Sequence, residues 1–275
     1  MAQHVKEVAA GERFEFGKNW ARFLANLQEP QIEDAERSLR NMLGVEDLRG
    51  RTFLDAGSGS GLFSLAARRM GARVHSFDYD PQSVNCTRTL RARYFPEDPG
   101  WSVEEASVLD TVYLDSLGQF DVVYSWGVLH HTGAMWDALQ NVARLVRPGG
   151  LLFIAIYNDQ GGESRRWKKV KKLYNRTPRS LRFPIEFAAF LKEYWRPMTR
   201  DFLRFHPFRF VREYEADGRG MTLWRDLVDW VGGYPFEVAK PEELFEFYKR
   251  RGFELEKLVT CAGSVGNNEL VLRRR

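Results

Sequence analysis

Asp55 stands directly ahead of a run of alternating glycines, Ala56-Gly57-Ser58-Gly59-Ser60-Gly61. Glycine lets a chain turn tightly and lets a ligand approach the backbone where a Cβ would collide. The spacing is GxGxG, whereas the dinucleotide fingerprint is GxGxxG. A carboxylate before the glycines suits a ligand carrying an ammonium group and is poorly suited to a pyrophosphate. A plain strand-to-helix turn is the alternative for this segment. Asp78, 23 residues after Asp55, is placed to accept both hydroxyls of a ribose. Asp80, ahead of Pro81, reads as a helix cap. Asp110, in Ser107-Val108-Leu109-Asp110, could accept from an adenine amino group with Val108 and Leu109 against the ring, or stand as a loop carboxylate in water.

A further segment, Ser125-Trp126-Gly127-Val128-Leu129-His130-His131, ends in two histidines. With an ordinary pKa of about 6.5, histidine takes a proton near neutrality, so His131 is the candidate general base. Packing or hydrogen bonding to a neighbour is its alternative. His130 reads as a core or capping group. Beyond the next apolar run, Tyr157 could position an acceptor molecule and Asn158 could hydrogen-bond it. Asn267-Asn268 reads as a hairpin turn, since asparagine tolerates unusual backbone angles, with a second polar wall as its alternative. No HExxH or other metal-ligand spacing occurs in the sequence, so no metal is expected.

The elements that must carry these residues alternate. Short apolar runs at 52–55, 73–77, 101–106, 120–125 and 151–157 read as strands, and 62–70, 81–93 and 136–145 read as helices. Such alternation predicts parallel strands with crossover helices, whose ligands sit beyond the carboxyl ends of the strands. Residues 241–250 read as a helix, and 253–261 and 269–273 as two last strands, the final one antiparallel. The expected fold class is α/β: a Rossmann-like, doubly wound, mostly parallel seven-stranded sheet with N-terminal helices and a helical insertion after the fifth strand. The division is 1–50 as a helical lid over the mouth of the sheet, 51–158 as the binding core, 159–236 as the insertion and 237–275 as the rest of the sheet.

The set LDAGSGSG, SFDYD, SVLD, SWGVLHH and LVRPGGLLFIAIYN resembles the class I S-adenosylmethionine-dependent methyltransferases, most nearly the ubiquinone-O-methyltransferase-like and small-molecule group. The resemblance covers about residues 14–157 and 240–275. It implies S-adenosylmethionine as cofactor and S-adenosylhomocysteine as product. It further implies that the loop Asp55, Gly57, Ser58, Gly59 and Gly61 surrounds the methionine moiety, that Asp78 and Tyr79 hold the ribose, and that Leu109 and Asp110 hold the adenine. Ser125 and Trp126 would lie beside the sulfonium. Phe16-Gly17-Lys18-Asn19-Trp20 resembles the group's entry helix, with Trp20 over the cofactor and Asn19 toward the substrate; ordinary helix packing is the alternative for Trp20.

The formal charge is +4, yet residues 159–236 hold 17 Lys/Arg against 10 Asp/Glu and 16 of the 38 aromatics. That shift marks a separate unit. Arg165, Arg166, Lys168, Lys169, Lys171 and Lys172 read as a solvated helix face or an anion-binding surface. Phe183, Phe187, Phe190, Tyr194 and Trp195 read as a helix packing inward, and Phe202, Phe205, Phe208 and Phe210 lie around a break at Pro207. Tyr234 is the candidate wall of a substrate pocket. The insertion suits a substrate cover, with a homodimer contact through its aromatics as a further option. Two cysteines are too few for a disulfide scaffold. No apolar run is long enough to span a bilayer and no signal peptide is evident, so a cytoplasmic location is expected. The expected reaction is methyl transfer to a hydroxyl of a small molecule, with a thiol or RNA as alternatives. Nucleic acid is disfavoured, since no separate RNA-binding module and no base-amine motif accompany the basic insertion.

Overall fold

A computed structural model describes residues 2–204, 206, 209–212 and 223–275. Seven strands form one sheet: β1 (Thr52–Ala56), β2 (Arg73–Asp78), β3 (Trp101–Glu105), β4 (Phe120–Trp126), β5 (Val146–Tyr157), β6 (Phe253–Val259) and β7 (Asn267–Arg274). Their spatial order is β3-β2-β1-β4-β5-β7-β6. The first five run parallel, and β7 pairs antiparallel with both β5 and β6. Central strands such as β1 and β4 are almost wholly buried, as parallel strands covered by helices on both faces must be. Strand order reverses between β1 and β4. Their carboxyl ends therefore open onto one crevice.

The helices are α1 (Ala2–Ala9), α2 (Gly17–Ala25), α3 (Glu29–Leu43), α4 (Leu62–Arg69), α5 (Pro81–Tyr94), α6 (Thr111–Leu117), α7 (Met135–Arg144), α8 (Gly162–Arg176), α9 (Phe183–Leu203), α10 (Leu223–Gly232) and α11 (Pro241–Lys249). One apolar layer joins α7, α11 and one face of the sheet through Leu54, Val123, Leu139 and Leu244. The other joins α3 and α4 to the opposite face through Ile32, Leu39, Leu65 and Phe153. A third cluster lies under the insertion, around Trp167, Tyr174, Leu227 and Val231.

Several expectations need correction. The first 50 residues do not all cover the mouth: Ile32, Ala35 and Leu39 of α3 are buried against the sheet face. Helix α6 went unread because its seven residues are too short to show a period. Strand β5 begins at Val146 because Val146 already pairs with Phe120 before the Pro148-Gly149-Gly150 bulge, after which Leu151 resumes against Val122. Asn267 and Asn268 are no turn; they open β7, opposite Tyr157 and Ile156.

Lys171 belongs to no solvated face. It follows Trp167 by four and precedes Tyr174 by three, which sets it on the inward stripe of α8, fully buried. In α9 the inward-packing reading holds for Phe190 and Tyr194, which join the third cluster, whereas Phe183, Phe187 and Trp195 are exposed. That helix carries apolar residues on more faces than one neighbour can cover. Phe202 is exposed as well; Phe205, Pro207 and Phe208 lie outside the described residues.

Candidate functional site

The glycine run forms the turn from β1 into α4. Gly57 has φ +89°, and a Cβ there would stand 2.4 Å from a Val128 methyl. Gly59 has φ +55°, and its Cβ would stand 3.1 Å from the Trp20 indole nitrogen. Both positions combine a left-handed backbone with a close neighbour, which only glycine accepts without strain. Asp55 is buried at the end of β1 and takes a hydrogen bond from the Ser64 hydroxyl, which also meets Ser76 at 2.7 Å. Burial pushes the Asp55 carboxyl up to about 7, with the Asp78 charge adding to the rise and Ser64 opposing it.

Asp78 ends β2, one strand over. Its Oδ2 accepts from the Gly59 backbone N–H at 2.9 Å and its Oδ1 from that of Asp80 at 2.8 Å. Burial pushes it up to about 6 in spite of these bonds. Each oxygen retains acceptor capacity for a hydroxyl. Among the described residues neither carboxylate has an ion pair. A buried and a partly buried carboxylate at adjoining strand ends, short of counter-charge and facing a turn too tight for side chains, fit a ligand that brings positive charge and hydroxyls.

The N-terminal segment closes over this crevice. Asp80 caps α5 through the Gln82 N–H and accepts the Gly17 N–H at 2.8 Å, which fixes the start of α2. Trp20 then lies over Gly59. Asn19, on the same helix and buried, donates to Asp229 of α10. Arg13 donates to the carbonyls of His131 at 2.9 Å and Thr132 at 3.5 Å.

Beyond β4 and β5 the polar groups gather. His131 is buried and its Nδ1 lies 2.7 Å from the Pro235 carbonyl. That contact requires the proton on Nδ1 and leaves Nε2 as the acceptor. Burial, reinforced by the Lys171 and Arg13 charges, pushes its pKa down to about 3 against the Pro235 bond. His130 is fully buried, stacks 3.9 Å from the Tyr157 ring and accepts the Tyr157 N–H at 3.3 Å. Tyr157 also meets Trp230 and Phe236 at 5.4 and 5.5 Å. Burial and the Asp229 charge push its hydroxyl pKa far up, so it keeps its proton.

Two residues here were missed in the sequence. Burial pushes Asp229 up to about 7, while its bond from Asn19 opposes the rise. Lys171 donates to the Trp230 carbonyl, with its Nζ 3.8 Å from the Trp230 ring and 4.7 Å from Phe236. Burial holds its pKa well below that of an ordinary lysine, with Asp229 opposing. For Lys171 the i, i+4 spacing from Trp167 was a usable signal. Nothing local distinguishes Asp229 from Asp226, one turn earlier.

Other candidates are placed differently. Ser125 spends its hydroxyl inside the sheet, on the Ala56 carbonyl at 2.7 Å. Ser58 pairs with the Thr87 hydroxyl at 2.9 Å. Trp126, partly buried, packs against the apolar layer on the α4 side. The Tyr79 hydroxyl donates to Glu7 of α1 at 3.2 Å, under the Arg13 guanidinium. Asp110 caps α6, accepting the Tyr113 N–H at 3.1 Å, and Leu109 is exposed beside it while Val108 joins the apolar layer on the α7 side. Asn158 joins the C-terminal hairpin instead of the cluster, bonding Ser264 and Asn268. Tyr234 lines a cavity of about 340 Å³ with Lys168, Lys172 and Arg176.

Residues 54–154 match a family model described as a methyltransferase domain. The chain is 32% identical over 119 residues to the ubiquinone biosynthesis O-methyltransferase of Methylobacterium sp. (strain 4-46), covering 43% of this chain and 46% of that protein. It is 30% identical over 167 residues to the enzyme of the same name from Methylocella silvestris, covering 60% and 56%. The chain thus spans about half the length of the curated relatives it matches. Among solved structures, magnesium protoporphyrin IX methyltransferase from Synechocystis PCC 6803, with bound SAH, superposes with a TM-score of 0.56 at 14% identity over 94% of both chains. At that identity the likeness is one of fold.

Proposed function

We propose that this chain, which carries a class I S-adenosylmethionine-dependent methyltransferase domain, transfers a methyl group to a hydroxyl oxygen of a small molecule. The observation that carries this reading is the pair of a buried Asp55 and a partly buried Asp78 beside the glycine turn, with no ion pair to either among the described residues. The residues present fit the cofactor. Asp55 would hold its ammonium group, Asp78 its ribose hydroxyls, and Gly57 and Gly59 leave room against the backbone under Trp20.

The cofactor supplies a methyl carbon made electrophilic by its positive sulfur. The chain's part is to align the acceptor, exclude water and remove a proton. Alignment is worth up to about 7–11 kcal/mol in well-oriented pairs. Tyr157, which keeps its proton, would position the acceptor by hydrogen bonding. His131 Nε2, fixed by the Pro235 contact, would accept from the acceptor's hydroxyl and orient it. With a pKa of about 3, His131 is a weak sink for the proton itself. Asp229, at about 7, is matched to neutral pH. We therefore assign orientation to His131 and proton removal to Asp229, whose position Asn19 fixes.

Names of relatives support oxygen as the acceptor atom, since those cited are O-methyltransferases. The test is to incubate purified protein with methyl-labelled S-adenosylmethionine and fractionated cell metabolites, then identify the labelled compound. A labelled methyl ether is expected. Label confined to RNA or to a thioether would overturn the assignment.

A further inference from the structure

Residues 234–237 border a cavity of about 340 Å³ that the methyl-transfer reading does not use. One wall is α8, where Lys168, Lys172 and Arg176 follow at intervals of four residues. Such spacing stacks them on one face, about 6 Å apart along the axis. The other walls are Gly11 and Glu12 of the turn after α1, Gly133, and the strap 234–237. Gly11 packs its bare backbone on α8: a Cβ there would lie 2.7 Å from the Asn175 carbonyl oxygen. The turn therefore closes the end of the cavity without filling it.

The charges of this wall are only weakly matched within the chain, the Lys168 charge acting at longer range on Glu237. Among the described residues no carboxylate approaches Lys168, Lys172 or Arg176 within ion-pair distance. Two acids do share the lining. Glu237 spends its carboxylate on the Met135 N–H at 3.0 Å, capping α7, and Glu12 is exposed at the rim. Elsewhere on α8, Glu163 pairs with Lys192 and Arg166, while Arg165 and Lys169 are exposed to solvent away from the cavity lining. Like charges at i, i+4 disfavour a helix by a few tenths of a kcal/mol per pair. Here three of them converge on a concavity instead of spreading over a convex surface.

We propose that this cavity is a binding site for the oxyanion group, phosphate or carboxylate, of a small molecule. Lys168, Lys172 and Arg176 supply the charge, and Arg176 offers the planar fork that matches such groups. The Pro235 carbonyl that holds His131 Nδ1 belongs to the same strap. Pro235 thus borders the cavity and also holds the histidine that the methyl-transfer reading uses. The site itself stands without that reading, because its ligand chemistry follows from the cavity alone.

The experiment is calorimetric titration of the full chain with sodium phosphate and, separately, sodium benzoate, at constant ionic strength with chloride as the control anion. S-adenosylhomocysteine is titrated into the same preparations. Binding of phosphate or benzoate with a dissociation constant on the order of 1 mM, weakening as salt rises, is expected. Lys172→Ala and Arg176→Ala should each weaken it at least about threefold and the double variant at least about tenfold, while Lys169→Ala leaves it unchanged. A response to phosphate alone identifies a phosphoryl ligand, and one to benzoate alone a carboxylate. The proposal fails if neither anion binds more tightly than chloride, or if Lys169→Ala weakens binding as much as Arg176→Ala. Uptake of S-adenosylhomocysteine reports separately on the cofactor reading.

Discussion

Replacing Asp55 by Asn tests the electrostatics of the crevice directly. In the unliganded fold the Asp55 carboxyl is raised from an ordinary 3.8 to about 7, chiefly by burial. The folded chain therefore holds a proton there that the unfolded chain has released between about pH 4 and 7. Stability from this group is fully present below pH 3.8 and is lost as pH rises through 7. The interval corresponds to at most about 4 kcal/mol at pH 8. Asn has the same shape and no charge, but its amide needs an acceptor, so a net gain of about 1–3 kcal/mol is expected at pH 8 and none at pH 3.5.

Urea unfolding followed by tryptophan fluorescence, with wild type and Asp55→Asn compared at each pH from 3.5 to 8, gives the difference curve. The difference matters because the buried histidines act in the opposite sense. Their folded pKa values are lowered, so their effect on stability improves as pH rises toward 6.5. The stabilised variant should nevertheless bind S-adenosylhomocysteine at least about tenfold more weakly. In wild type, binding of the positively charged cofactor near pH 6 should release protons, visible as a buffer-dependent heat. An Asp55→Asn chain no more stable than wild type at pH 8, or with a difference curve flat between pH 4 and 7, would show the carboxylate to be already compensated and would refute the reasoning.

Gly57→Ala should cost about 1–3 kcal/mol, since its Cβ would meet Val128 at 2.4 Å on a left-handed backbone, and a thermal melt with and without S-adenosylhomocysteine should show both lower stability and a smaller ligand shift. Once the acceptor is known, Asp229→Asn should lower kcat by about 10²–10⁴-fold and remove the pH dependence centred near 7. Unchanged kcat with altered KM would assign Asp229 to binding alone. Burial lowers the folded Lys171 pKa well below the ordinary 10.5, so its contribution to stability should improve as pH rises toward that value, and denaturant midpoints of Lys171→Met should lack that component of the slope.

The parts of this molecule that were legible in the sequence are those where backbone demands and side-chain period coincide. An apolar run closing on Asp55 and GxGxG leaves few conformations open, and it located β1, its turn and α4 within a residue or two. The same logic placed Asp78 at the end of β2 and Asp80 at the cap of α5. It weakened where a residue's role depends on partners distant in sequence. Asn158 stands at the right strand end, but β7 antiparallel to β5 brings Asn268 beside it and turns its amide outward to the hairpin. Asp229 stands in an ordinary amphipathic helix and becomes distinctive only because Asn19, 210 residues away, closes on it. The division follows from the architecture. On the proposed reading the cofactor side is built from strand-end turns, whose chemistry is local, while the acceptor side would be assembled by two separate segments, the N-terminal segment and α8–α10, which meet at Asn19 and Asp229. A sequence can therefore declare the methyl donor in a dozen residues and stay silent on the acceptor, whose recognition, on the proposed reading, would rest on contacts such as Asn19 to Asp229 and Pro235 to His131 that no single stretch of chain contains.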